Sequence, residues 1–235
     1  KEPDFSGKIM SRFSSVNFEK TVHATFNVGG KKWAAMISST FSGFDDLKMG
    51  SNGRDEYLRP EFVLQGGFDG TDKIVKSDNA KIQTYTQYNQ FNFLGKLRYR
   101  PNDKLEINVS GNHAQTSDIP RYDRLIVYKN DKLRYGEWYY GPQNRFLASV
   151  QGEFKNYNSL YTRGTFTLAF QKLAEDRISR KYRVDDKLFQ EEDVFVYSAN
   201  FDFTKVLKER QRLYYGLEIT HNDVHSNARY ENIQT

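Results

Sequence analysis

Apolar and polar residues alternate with a period of two along most of this chain. That period confines it to β structure, because successive strand residues face opposite sides of a sheet. From Phe91 to Tyr99, Phe91, Phe93, Leu97 and Tyr99 are apolar, while Gln90, Asn92, Lys96 and Arg98 are polar. Leu105, Ile107 and Val109 then alternate with Glu106, Asn108 and Ser110, and Arg100-Pro101-Asn102-Asp103-Lys104 supplies the turn chemistry between the two runs. Similar hairpins run from Val22 to Phe41 through Gly29-Gly30, from Phe146 to Phe170 through Asn156-Tyr157, and from Phe195 to Ile219 through Lys208-Glu209. With a first strand near Gly7 to Ser14, the expectation is an all-β, antiparallel up-and-down meander of about nine strands.

The connections at the two strand ends differ. Short turns lie at one end. At the other, the pattern predicts long excursions over Asp45 to Gln83, Ser117 to Asn144 and Ala174 to Asp193, with a tight link at Ser15 to Glu19. Long connections in a compact domain usually carry function. Several alternating runs reach about ten to fifteen residues, where soluble strands usually stop near five or six, and an outer-membrane strand needs about nine to eleven. The polar positions include Lys96, Arg98, Glu106, Glu153, Arg163, Asp202, Arg212 and Glu218, charges that require water or one another.

Two geometries satisfy such a pattern: a soluble sandwich or lipocalin-like binding module with its apolar face inward, or a membrane barrel with that face toward lipid. Strand length, one-sided connections and aromatics near strand ends, such as Trp33, Phe44, Tyr99, Phe154, Tyr197 and Phe203, favour the barrel. Composition narrows the function. Without Cys there is no disulfide framework and no thiol catalysis, and no apolar run is long enough for a membrane helix. The net charge of +5 is spread over 35 Lys and Arg and 30 Asp and Glu with both signs interspersed, which argues against nucleic-acid binding. The first residues contain neither an initiator Met nor an apolar signal core.

Local motifs point to binding rather than to bond cleavage. Asp118 to Leu125, followed by Glu137 to Gln143, gathers Arg, Tyr and Trp in one predicted connection. Those residue types grip anionic or aromatic ligands, and they serve equally as packing for a loop. His221 and His225 share a strand face but stand about 13 Å apart, too far for one metal. Asp69, Asp72 and Asp78, and likewise Glu191, Glu192 and Asp193, read as solvated acidic loops without calcium-loop spacing. Gly29-Gly30-Lys31-Lys32 is a hairpin turn, not a phosphate loop. No nucleophile or metalloprotease motif is present, and adjacent carboxylates such as Asp45-Asp46 and Asp185-Asp186 lack the separation glycosidases need. No catalytic residue, cofactor or metal is therefore expected. A carbohydrate-active β-domain with sugar-stacking aromatics is the third alternative.

Ile119-Pro120-Arg121-Tyr122-Asp123-Arg124-Leu125, Glu137-Trp138-Tyr139-Tyr140-Gly141-Pro142-Gln143 and Tyr214-Tyr215-Gly216-Leu217-Glu218 resemble the barrel domain of TonB-dependent outer-membrane receptors, particularly the type common in Bacteroidetes. The resemblance runs over most of the chain and includes Phe26-Asn27-Val28-Gly29-Gly30 and Asn200-Phe201-Asp202-Phe203. It implies a barrel of about 22 strands closed by a plug. Such a receptor imports a scarce ligand (an iron–siderophore complex, haem, cobalamin or a glycan) with energy relayed through TonB. No plug-like segment or TonB box is found, and about nine strands cannot close such a barrel. The whole of residues 1–235 is therefore expected to be an internal piece of the barrel wall in the cell outer membrane. Its expected partners are outer-membrane lipid, the plug of the parent chain, the TonB complex through the missing part and a surface lipoprotein. Within that family frame, Arg121, Tyr122, Arg124, Trp138, Tyr139 and Tyr140 are the candidates for ligand contact. Lys96, Arg98, Glu106, Arg163 and Glu218 are the candidates for the lumen face. Neither loop His nor a Tyr-Arg-Ala-Pro-like motif stands at the matching places, which puts haem in doubt.

Overall fold

A computed structural model describes residues 4–66, 71–156, 158–208 and 210–234. The chain is all-β, with 73% of it in strands. Nine long strands form one antiparallel meander, each paired with its neighbours in sequence order. They are β1 (Asp4–Ser14), β2 (Glu19–Gly29), β3 (Trp33–Phe44), β4 (Tyr88–Asn102), β5 (Leu105–Thr116), β6 (Tyr135–Lys155), β7 (Arg163–Lys181), β8 (Asp186–Lys208) and β9 (Gln211–Asn232). The expected hairpins form as paired strands, and Tyr157 and Glu209, in two of the predicted turns, lie outside the described residues. The sheet is open, and β1 and β9 are its two edges.

Register turns the sequence alternation into two chemically distinct faces. One row of directly paired residues crosses the whole sheet as Phe5, Val28, Ala35, Leu97, Val109, Val150, Leu168, Ala199 and Ile219, and every member is apolar. The next row, on the opposite face, reads Ser6, Asn27, Met36, Lys96, Ser110, Ser149, Ala169, Ser198 and Thr220. Side chains of seven adjacent strands, from Asp4 and Ser6 on β1 to Thr167 on β7, line one groove of about 570 Å³ on this polar face.

Nothing among the described residues covers the apolar face. Leu97, Val109, Leu168, Leu217 and Ile219 are 42%, 43%, 45%, 59% and 56% exposed. The buried apolar side chains are Val63, Leu125, Leu133 and Ile178, all at the long-connection end of the molecule. On β8 the apolar positions run from Phe195 to Phe203, and Asp193 and Glu191 follow on the same face. That band is about 27 Å long along the strand.

Two expected connections prove to be mostly strand. Ala174 to Asp193 continues β7 and β8, and the turn is only residues 182–185, where Arg183 takes a φ of 55°. The second connection ends at Arg134, so Trp138, Tyr139 and Tyr140 stand on β6. The physical reason is that strands rising above the apolar band have no apolar face to keep, so charges replace the alternation by which strands are recognised. The first excursion does exist, over residues 45–87. It is built from the short ladders Leu47–Lys48 with Ile82–Gln83 and Glu61–Leu64 with Lys73–Lys76. Within residues 117–134, Tyr128–Lys129 pairs with Lys132–Leu133 across Asn130 and Asp131, both at positive φ as a two-residue hairpin requires.

Gly152 allows a close approach in the wall, because the Phe166 ring occupies the space a side chain would fill. Gly152→Val is expected to cost about 1–3 kcal/mol through overpacking, read as a lower urea midpoint with an unchanged slope.

Candidate functional site

Lys96, Arg98, Glu106, Arg163 and Glu218 all fall on the polar face. Register places Arg98 in one row with Asn108, Gln151, Thr167, Asn200 and Glu218, and Glu106 opposite Glu153 in the next row of that face. Their charges are partly neutralised within the face. Glu153 accepts from Arg163 Nη2 at 2.5 Å and lies 3.3 Å from Lys155 Nζ, while Glu106 accepts from Asn108 Nδ2 at 3.1 Å. Neighbouring hydroxyls pair as Ser110 Oγ with Ser149 Oγ at 2.8 Å. A wall of this kind is wettable, with donors and acceptors at short intervals and no apolar stretch of its own in its lower half.

The six candidate ligand contacts are divided by β6 into two groups. Trp138 and Tyr140 pair with Ser179 and Arg177 and face the polar side, whereas Tyr139 pairs with Ile178 and faces the other. Arg121 joins the first group. It donates Nε and Nη2 to the two carboxylate oxygens of Asp123, each at 2.7 Å, and Nη1 to the Tyr140 hydroxyl at 2.7 Å. Its guanidinium centre lies 4.9 Å from the Trp138 ring centroid and 5.4 Å from that of Tyr140. The hydrogen bonds from Arg121 hold Asp123 below the ordinary carboxylate range, and Asp123 raises Arg121 in turn. Arg124 is half exposed, 3.8 Å from Asp123. Tyr122 turns the opposite way, under Arg59 at 5.1 Å, and burial raises its hydroxyl pKa. Arg121, Trp138 and Tyr140 thus form a cation–aromatic clasp that fastens residues 121–125 to the wall, and Tyr122 and Tyr139 belong to the packing behind it.

Sequence reasoning missed the strongest polar cluster. Arg180, only 3% exposed, donates Nη1 and Nη2 to Asp72 at 2.7 and 2.9 Å and Nε to Glu137 at 2.7 Å; Lys187 Nζ donates to the other Glu137 oxygen at 2.5 Å. Asp72 also accepts from the Arg183 backbone N–H at 3.1 Å. A Cβ on Gly136 would stand 2.8 Å from Asp72 Oδ2, so the close approach needs glycine. Burial alone would raise Asp72, but the hydrogen bonds from Arg180 and Arg183 outweigh it and hold the carboxyl low. The sequence pattern alone places Asp72 in a solvated acidic loop. It is instead the buried anchor of residues 45–87 on the wall, and Asp69 lies outside the described residues. Glu191 pairs with Arg229, and Asp193 with Lys172 at 3.3 Å, so that second run is salt-bridged strand. Arg59, 2% exposed, is held by the Thr84 carbonyl and by the faces of Tyr85 and Tyr122, and burial lowers its pKa. His221 lies against Tyr197 and His225 against Phe195, two separate aromatic partners.

No family model matches the chain, and no curated protein matches it.

Removing one partner of a buried ion pair typically costs about 3–5 kcal/mol. Asp72→Ala is therefore expected to release residues 45–87, read as faster amide exchange over 59–85 with β1 to β5 unchanged. Because Asp72 is depressed on folding, its contribution is complete above the unfolded value of about 3.9 and is lost as pH falls through its lower folded value. As pH falls through that folded value, the protection of the same amides relative to their intrinsic exchange rate should drop in the unaltered protein and stay unchanged in Asp72→Ala.

Proposed function

We propose that this chain is part of the barrel wall of a TonB-dependent receptor in the outer membrane. In that role it lines the pathway by which a scarce ligand is imported with energy relayed through TonB. The ligand class is an iron–siderophore complex, haem, cobalamin or a glycan. The observation that carries the reading is the uncovered apolar face of a nine-strand wall whose polar face bears a groove across seven strands. Each large apolar side chain left in water forgoes about 1.5–3 kcal/mol, and soluble proteins rarely expose apolar patches beyond a few hundred Å². At a barrel tilt of about 40° an apolar run about 27 Å long stands about 20 Å high, close to the apolar belt of about 25 Å on membrane barrels.

Aromatic pairs at both margins of the band agree with this placement. Trp33 stacks on Tyr99 at 4.1 Å and Phe203 on Tyr215 at 5.3 Å near the short turns, and Phe170 lies 5.2 Å from Tyr197 toward the other margin. The two open edges, β1 and β9, are where further wall strands pair in this reading, since an exposed strand of 22 residues such as β9 is an aggregation hazard in water. The polar face with Lys96, Arg98, Glu106, Arg163 and Glu218 then lines the lumen and meets the plug. The Arg121, Trp138 and Tyr140 clasp stands above the membrane, on the side from which ligand arrives. The chemistry is binding and passage: hydrated charges guide a solute and no bond is broken.

Adjacent residues on β9 test the orientation. Leu217→Arg is expected to impair assembly of the receptor by up to about 2–4 kcal/mol near the midplane. Glu218→Arg, one pleat away, should be far milder. Heat-modifiable migration of the folded barrel measures both, and equal sensitivity at the two positions would contradict the proposed faces.

A further inference from the structure

We infer that the short-turn rim of the wall binds the headgroups of anionic phospholipids; this rests on the membrane reading above. The fold gathers at one end of the sheet charges that are scattered in sequence. The four short turns together with the strand ends that flank them, residues 31–32, 100–104, 155–163 and 205–212, hold ten Lys and Arg against Asp103 and Glu209, whereas the rest of the chain holds 25 cations and 28 carboxylates. The chain's whole positive surplus therefore sits on this rim. Asp103 is paired with Arg100 at 2.9 Å, and Lys155 and Arg163 share Glu153 just above the turn. Among the described residues, the side chains of Lys31, Lys32, Lys104, Lys208, Arg210 and Arg212 are exposed and have no ion pair or hydrogen bond.

The setting selects a lipid surface over an acidic protein. The cations follow an arc over the turns joining β2 to β3, β4 to β5, β6 to β7 and β8 to β9, a line rather than a spot. Two apolar side chains, Leu160 and Leu207, project at the same turns, 70% and 58% exposed. Directly above, on the apolar face, stand the stacked Trp33 and Tyr99 and the cluster of Phe154, Tyr161, Phe203 and Tyr215. Amphipathic rings with free cations just beyond them match the headgroup layer, where each basic residue near an anionic surface contributes to binding. Short turns of a membrane barrel face the periplasm, so the leaflet concerned is the inner one.

The test uses the full receptor that contains this wall, purified in detergent and presented to vesicles of phosphatidylcholine alone or with about 30 mol % phosphatidylglycerol. Association is read by flotation and insertion by protease protection. The expected result is insertion in both, with at least about tenfold tighter association when phosphatidylglycerol is present, lost at about 0.5 M salt. Combined Lys31→Gln, Lys32→Gln, Lys208→Gln and Arg210→Gln should remove the preference. Combined Lys76→Gln, Lys81→Gln, Lys129→Gln and Lys132→Gln, at the opposite end, should leave it. The substituted rim residues have no partners in the fold, so unchanged circular dichroism is expected of the rim variant. Insertion without any preference for phosphatidylglycerol would overturn the inference and leave the membrane reading standing, whereas failure to insert in either vesicle would remove the reading itself. Displacement by soluble poly-glutamate at equal charge, with no effect of inorganic phosphate, would assign the rim to an acidic protein and overturn the lipid assignment.

Discussion

The arrangement depends on one constraint: a pleated sheet with paired neighbours on both sides must send alternate side chains to opposite faces. Once Leu97 is paired with Val109, and Val150 with Leu168, the register of every other residue on those strands is fixed. A slip of one residue would carry Lys96, Arg98 and Glu218 to the apolar side, where each charge costs several kcal/mol without water. The wall is therefore held by backbone pairing and chosen by side-chain partition. It owes little to a core, since the buried apolar residues number four among those described and none belongs to the band.

Above the band the same strands obey different physics. Asp193, Glu191, Asp223 and Arg229 occupy positions that lower down are Phe201, Phe203 and Leu217. Cohesion there comes from ion pairs and from the two long connections. Arg180, clamped between Asp72 and Glu137, ties residues 45–87 to the tops of β6 and β7. Arg121 ties residues 121–125 to β6 from the polar side. The two arginines brace the connections on opposite faces of one strand, so both connections are held to the wall at fixed points.

The hairpins were legible because turn residues and alternation coincide, as in Arg100 to Lys104 between Phe91–Tyr99 and Leu105–Val109. The eight charged residues assigned to the polar face, Lys96 to Glu218, share one face by register, because parity within a strand needs no tertiary information. The upper parts of β6, β7 and β8 were not legible. Gly141 and Pro142 look like loop punctuation, yet they sit at the register shift between Gly141 and Asn144. Glu191 to Asp193 looks like a solvated run, yet each strand there is paired throughout. Arg180 and Asp72 are 108 residues apart, and no local pattern announces their contact. The basic rim was hidden for the same reason: interspersed signs in sequence become segregated only when four turns meet at one edge. Of the candidate ligand contacts, the sequence grouped six residues by composition; β6 alone decides that Trp138 and Tyr140 share a face and Tyr139 does not.

Site-directed spin labels along β7 test the partition most directly. Placed one at a time at residues 165 to 170 in the reconstituted receptor that contains this wall, they report contact with membrane-dissolved oxygen or with a water-soluble nickel chelate. Labels at 166, 168 and 170 should be relaxed by oxygen and those at 165, 167 and 169 by the chelate, in strict alternation. Chelate access on both parities, or protection of 166, 168 and 170 from both reagents, would contradict a lipid-facing apolar side and return the wall to a soluble, two-layered fold.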